Sequence, residues 1–193
     1  IFTGAVQATG VASLGTGPVV VYPGAFLRLA GSNNLGSALV DVVSATNGLS
    51  AVVIDNDFDP AAIANLTANA TRNPWGTALM FNGPVINTPI NQALVGNGRM
   101  YFGAYNTTEL LGAMGAGLTD AGDAAIQLGL TGGPGYNGMY RFANNGATAL
   151  LISGPDNVLS GNSLVQFGAS VNQVNATVTS GTGTFQIRNS NNY

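Results

Sequence analysis

Hydrophobic and polar residues alternate with a period of two from the start of the chain. Phe2, Val6, Ala8, Ala12 and Leu14 fall on one side, and Thr3, Gln7, Thr9 and Ser13 on the other. This predicts a first strand of about a dozen residues, longer than the usual five or six. Gly15-Thr16-Gly17-Pro18 then breaks the pattern. Short apolar runs follow at Val19 to Tyr22 and Ala25 to Ala30. Leu39 to Thr46 and Leu49 to Ile54 flank Asn47-Gly48, a pair that suits the type I′ turn of a β-hairpin. Asn97-Gly98 and Asn145-Gly146 sit between strand-like runs in the same way. They predict hairpins of Ala93 to Gly96 with Arg99 to Tyr105, and of Met139 to Asn144 with Ala147 to Ser153. Val165, Phe167, Ala169 and Val171 share one face near the end of the chain.

Helical signals are few. Asp59-Pro60 offers an N-cap followed by proline in the first turn. Ile63, Leu66 and Ala70 then recur at helical spacing, which predicts a short helix over about 60–72. A weaker second helix is expected from Thr108 through Met114. No residue pattern repeats with a period of 20–50, which argues against a solenoid. About ten short strands with frequent turns therefore predict an all-β, mainly β fold. The expected form is an antiparallel two-sheet sandwich, jelly-roll-like, with one or two short helices. Residues 1–18 would form an N-terminal strand or arm, and 19–193 a single β-sandwich domain.

Composition changes the picture in one respect. The chain has 193 residues, 46% of them hydrophobic, so it can build a core. Only 7% are charged, against about 25% in ordinary proteins. Lysine, histidine and cysteine are absent, and the net charge is −3. So few charges cannot keep copies apart in the usual way. A surface buried against other subunits, or covered by sugar, fits this composition. Scattered arginines make nucleic acid a poor partner. No apolar run reaches the length of a membrane-spanning helix. A chain that opens on Ile1 is expected to have lost a leader peptide.

Candidate chemistry is sparse. Without histidine, lysine or cysteine the usual bases and activated nucleophiles are missing, so no enzyme is expected. Asp55, Asp57 and Asp59 crowd three acids into five residues. Such a cluster suits a hard cation such as Ca²⁺, although Pro60 and Leu66 stand where an EF-hand needs Gly and Glu. The alternative is a solvated loop with Asp59 capping the helix. No other cofactor is indicated. Asn65, Asn69, Asn106 and Asn175 lie in sequons and are candidate N-linked glycan sites.

These features together suggest an extracellular, self-assembling structural subunit of a surface filament or pilus. Its partners would be copies of itself, joined by donor-strand-type contacts. The assembly arm would use Ile1, Phe2, Val6, Ala8, Ala12 and Leu14, with Gly15 to Pro18 as its hinge; the alternative is an ordinary first strand that pairs within its own sheet. The alternatives are a viral capsid or shell protein, and a carbohydrate-binding or adhesive module. The last would need exposed aromatics such as Trp75, Tyr101, Tyr105, Tyr136 or Tyr140 on one face.

Overall fold

The structure is a computed structural model. It describes residues 4–9, 14–22, 24–30, 38–43, 50–55, 66–68, 77–98, 100–112, 114–115, 138–144, 148–156, 158–159, 163–168 and 183–191. These form a β-solenoid in which every strand pairing among the described residues is parallel.

The described strands wind through seven coils. The first holds β1 (Gly4–Ala8) and β2 (Val19–Val21), the second β3 (Ala25–Leu29) and β4 (Val40–Val42), and the third β5 (Ser50–Ile54) and β6 (Leu66–Ala68). The fourth holds β7 (Thr77–Phe81), β8 (Val85–Ile86) and β9 (Ile90–Asn91). The fifth holds β10 (Tyr101–Ala104), β11 (Thr108–Leu110) and β12 (Met114–Gly115). The sixth has β13 (Met139–Phe142) and β14 (Ala149–Ile152), and the seventh β15 (Leu164–Phe167) and β16 (Thr184–Ile187).

One sheet takes the leading strand of every coil, in the order β1-β3-β5-β7-β10-β13-β15. The faces that follow are β2-β4-β6 in the early coils, and β8-β11-β14-β16 with β9-β12 in the later ones.

Alternation along each leading strand sends every second side chain inward, where register stacks it on its counterparts. One inward column runs Val6, Leu27, Val52, Leu79, Phe102, Phe142, Phe167. Its neighbour runs Ala8, Leu29, Ile54, Phe81, Ala104. Phe81 and Phe102 meet edge to face with ring centroids 5.7 Å apart. Full burial of each large member contributes about 1.5–3 kcal/mol. The outward face is also buried at the centre of this sheet, where Ala51, Val53, Ala78, Met80, Tyr101 and Ala143 form a second apolar cluster. Strands buried on both faces read as unbroken apolar runs, such as Ala51-Val52-Val53-Ile54.

The antiparallel sandwich or jelly roll is therefore overturned. Consecutive strands do not pair. β4 pairs with β2 and β6, while β5 pairs with β3 and β7, so no hairpin joins the runs around Asn47-Gly48. β13 and β14 lie in different sheets, and Phe142 stands opposite Phe102 and Phe167. Ala93 to Gly96, expected as a strand, instead falls in two 3-10 turns, Gln92–Leu94 and Gly96–Gly98. The expected helix over 60–72 is contradicted at Leu66–Ala68, which is strand; its other residues lie outside those described. The helix expected from Thr108 is also two strands, β11 and β12. Thr108 and Leu110 point into the protein while Glu109 is half-exposed, a period of two rather than 3.6. Among the described residues the first strand is Gly4–Ala8 and has ended by Thr9, short of Leu14.

The expectation that no solenoid is present fails because its repeat is spatial. Successive members of the Val6 to Phe167 column are 21, 25, 27, 23, 40 and 25 residues apart. No fixed sequence period survives such variation. No helix of the described residues is long and apolar enough to cross a membrane.

Candidate functional site

Two features stand out from the coil: a polar ladder along one corner, and the two ends of the inward column.

The ladder begins where the chain leaves the leading sheet. Asp55 and Asn82 directly follow β5 and β7, and their backbone N–H groups continue the parallel pairing by donating to the Leu29 and Ile54 carbonyls at 3.2 and 2.8 Å. Their side chains therefore stack along the solenoid axis. Asn106 Nδ2 donates to Asn82 Oδ1, and Asn82 Nδ2 donates to Asp55 Oδ1 at 2.6 Å. Arg28 Nε donates to the same Asp55 oxygen at 3.2 Å, and Arg28 NH2 reaches the other at 3.4 Å. Arg28 NH1 extends the chain to Gln7 Oε1 at 3.4 Å. Five successive coils are thus linked by one row of side chains. Charge-assisted bonds to the carboxylate are its strongest links.

This placement gives Asp55 a role. Arg28 and Asn82 hold its carboxylate, and the Arg28–Asp55 ion pair measures 3.2 Å. Asp57 and Asp59 lie outside the described residues. Among the described residues no group of three His, Cys, Asp or Glu side chains comes together.

The sequons are placed only in part. Asn106 is exposed, but its Thr108 is fully buried. The Thr108 hydroxyl lies 2.7 Å from the Gly83 carbonyl, 2.9 Å from that of Asn106 and 3.1 Å from that of Phe81. It closes the corner between β7 and β8. Asn65, Asn69 and Asn175 lie outside the described residues.

Within the assembly arm, Gly4–Ala8 pairs in parallel with β3 of its own chain, from Gly4 opposite Ala25 to Ala8 opposite Leu29. Ala8 is buried, and Leu14 packs against the core from the following turn. Val6 occupies an inward position yet is 45% exposed. Ile1, Phe2 and Ala12 lie outside the described residues.

Phe167 mirrors Val6 at the far end of the same column, with 47% of its surface exposed. It stacks on Phe142 at 5.6 Å and lies 5.1 Å from Phe185 of β16. The five members between Val6 and Phe167 are completely buried. None of the four described strands of the first and last coils carries a charge or a proline: β1 is Gly-Ala-Val-Gln-Ala, β2 Val-Val-Val, β15 Leu-Val-Gln-Phe and β16 Thr-Phe-Gln-Ile. Natural sheet edges are normally blunted by such residues. Sequence reasoning missed Phe167 as a site residue, because only register shows that it ends the column Val6 begins.

Of the aromatics an adhesive module would expose, Tyr101 and Tyr140 are buried. Tyr105 is half-buried, its ring edge-on to Phe26 at 6.1 Å. Trp75 and Tyr136 lie outside the described residues.

Comparison with known protein families, with curated proteins and with solved structures finds no match.

Proposed function

We propose that this chain is an extracellular, self-assembling structural subunit of a surface filament or pilus. The observation that carries this reading is the 7% charge content, since little repulsion keeps copies apart. The corner ladder from Gln7 to Asn106 suits a load-bearing rod, because it ties coil to coil along the axis.

Light scattering and negative-stain microscopy of the purified chain test this. Concentration-dependent growth into elongated particles is expected. A monodisperse, unglycosylated monomer at high concentration would overturn it.

A further inference from the structure

We infer that Asn82-Gly83 is a latent self-modifying site. The corner ladder holds it inert. When the ladder opens, the Gly83 nitrogen closes on the Asn82 side chain and converts it irreversibly to aspartate or isoaspartate. Water is the co-reactant, and the step is independent of self-assembly.

The chemistry belongs to the residue pair. Glycine has no Cβ, so its nitrogen meets the least hindrance in approaching the side chain of a preceding asparagine. The Gly83 nitrogen gives its proton to hydroxide and bonds to Asn82 Cγ. The Cγ–Nδ2 bond breaks, and Nδ2 takes a proton from water and leaves as ammonia. The five-membered succinimide that remains then takes up one water. Breaking the new Cγ–N bond leaves aspartate. Breaking the original peptide bond leaves isoaspartate, whose main chain runs through Cβ and Cγ and is one atom longer.

The fold holds both reactants in place. At the Asn82 amide, Nδ2 donates to Asp55 Oδ1 at 2.6 Å, and Oδ1 accepts from Asn106 Nδ2. The backbone on either side is tied as well. Asn82 N–H donates to the Ile54 carbonyl at 2.8 Å, and the Pro84 carbonyl accepts from Glu109 N–H at 2.9 Å. The Gly83 carbonyl accepts from Thr108 Oγ1 at 2.7 Å. Cγ therefore cannot swing onto the Gly83 nitrogen without giving up bonds to two other coils. Gly83 is buried, which keeps hydroxide and water from its nitrogen. Yet its N–H donates to no acceptor among the described residues, an unusual state for a buried amide. Once the corner opens, no bond has to break at the nucleophile.

The product cannot rejoin the ladder. Either form replaces the Nδ2 donor with a carboxylate oxygen facing Asp55, and two carboxylates at hydrogen-bond distance repel. Isoaspartate also lengthens the corner between β7 and β8, where the pairing on both sides fixes the path. One opening is thus recorded permanently.

The folded chain, incubated at mildly alkaline pH and mapped by peptide mass spectrometry, tests this. Conversion at Asn82 should be at least ~10-fold slower than in the same chain in urea, because reaction requires local opening. Asp55→Ala and Asn106→Ala each remove one tie and should raise the rate several-fold, with circular dichroism unchanged. Gln92→Ala, which removes bonds to the Arg141 backbone instead, should leave the rate at its wild-type value while the chain stays folded. Asn82→Asp, which carries the charge of the product, should melt below wild type.

Equal rates in the folded chain and in urea would overturn the guard, as would ladder variants that react no faster than wild type. Acceleration by Gln92→Ala as large as by Asp55→Ala would overturn it too, by placing the reaction in the globally unfolded chain. An Asn82→Asp chain as stable as wild type would overturn the one-way step.

Discussion

The side-chain amide of Gln92 pairs with the backbone of Arg141 through both of its atoms. Oε1 accepts from the Arg141 N–H at 3.0 Å, and Nε2 donates to the Arg141 carbonyl at 2.9 Å. Nε2 also donates to the Met100 carbonyl at 2.9 Å. A side chain here substitutes for strand backbone, at the seam where β10 and β13 share the single register pair Phe102 and Phe142. Asn144 does similar work at the far end of the seam. Its Oδ1 accepts from Ala104 N–H at 2.9 Å, and its Nδ2 donates to the Thr148 and Thr184 carbonyls. The longest coil, with 40 residues between column members, is spliced into the sheet by these two amides.

Gln92→Ala should therefore cost far more than an exposed truncation. It strips partners from one buried N–H and two buried carbonyls, each worth about 1–3 kcal/mol when left unmet. A loss of about 2–4 kcal/mol is expected from urea unfolding. Gln92→Glu adds a pH signature. Its carboxylate would sit buried beside two carbonyl oxygens, which raises its folded pKa above the unfolded value. The variant should be closest to wild type in acid, where the protonated acid supplies one donor, and lose stability as pH rises. A flat difference between pH 4 and pH 7 would count against the splice.

Gly103 should resist any side chain. A Cβ built there would lie 1.8 Å from the Ala143 carbonyl oxygen, a backbone atom that cannot swing away. Gly103→Ala should cost at least ~3 kcal/mol or abolish folding. At Gly17 a Cβ meets nothing within 4 Å, so Gly17→Ala should leave the melting temperature within a few degrees of wild type.

The corner ladder predicts two substitutions with different salt responses. Asp55→Asn removes the ion pair with Arg28 but can still accept from Asn82. Its cost, about 0.5–1 kcal/mol at low salt, should shrink in 1 M salt, because half-exposed ion pairs are screened. Asn82→Ala breaks the row in the middle, removing a donor to Asp55 and an acceptor for Asn106. Its cost of about 1–2 kcal/mol should persist in high salt.

Glycan addition at Asn106 should be blocked once the chain has folded. The sequon hydroxyl of Thr108 is fully buried among three carbonyls. Peptide mass spectrometry after exposure of the folded chain to a glycan transferase should find Asn106 unmodified. Modification there at high occupancy would mean that this corner opens in solution. Thr108→Val tests the corner itself, with an expected loss of about 1–3 kcal/mol from the unmet carbonyls.

The sequence by itself determined that strands dominate, and where one face is partly polar it also marked the inward side. Leu27 and Leu29 flank Arg28 at a spacing of two that is the same whether the neighbouring strand runs parallel or antiparallel. Central strands such as Ala51-Val52-Val53-Ile54, apolar on both faces, carried no such mark. Low charge was legible in the same way, because it is a property of composition. Pairing partners were not legible. Asn47-Gly48 and Asn145-Gly146 carry the chemistry of hairpin turns, yet β4 and β5, like β13 and β14, belong to different sheets. Leu66 recurs at helical spacing and lies in a strand, where tertiary pairing with Val40 overrides a weak local preference. What places Phe142 against Phe102, or Asp55 against Asn82, is the distance the chain travels around the axis before returning. That distance varies from 21 to 40 residues, so only the closed coil, which must bring each inward side chain back over the last, decided the register and the ladder.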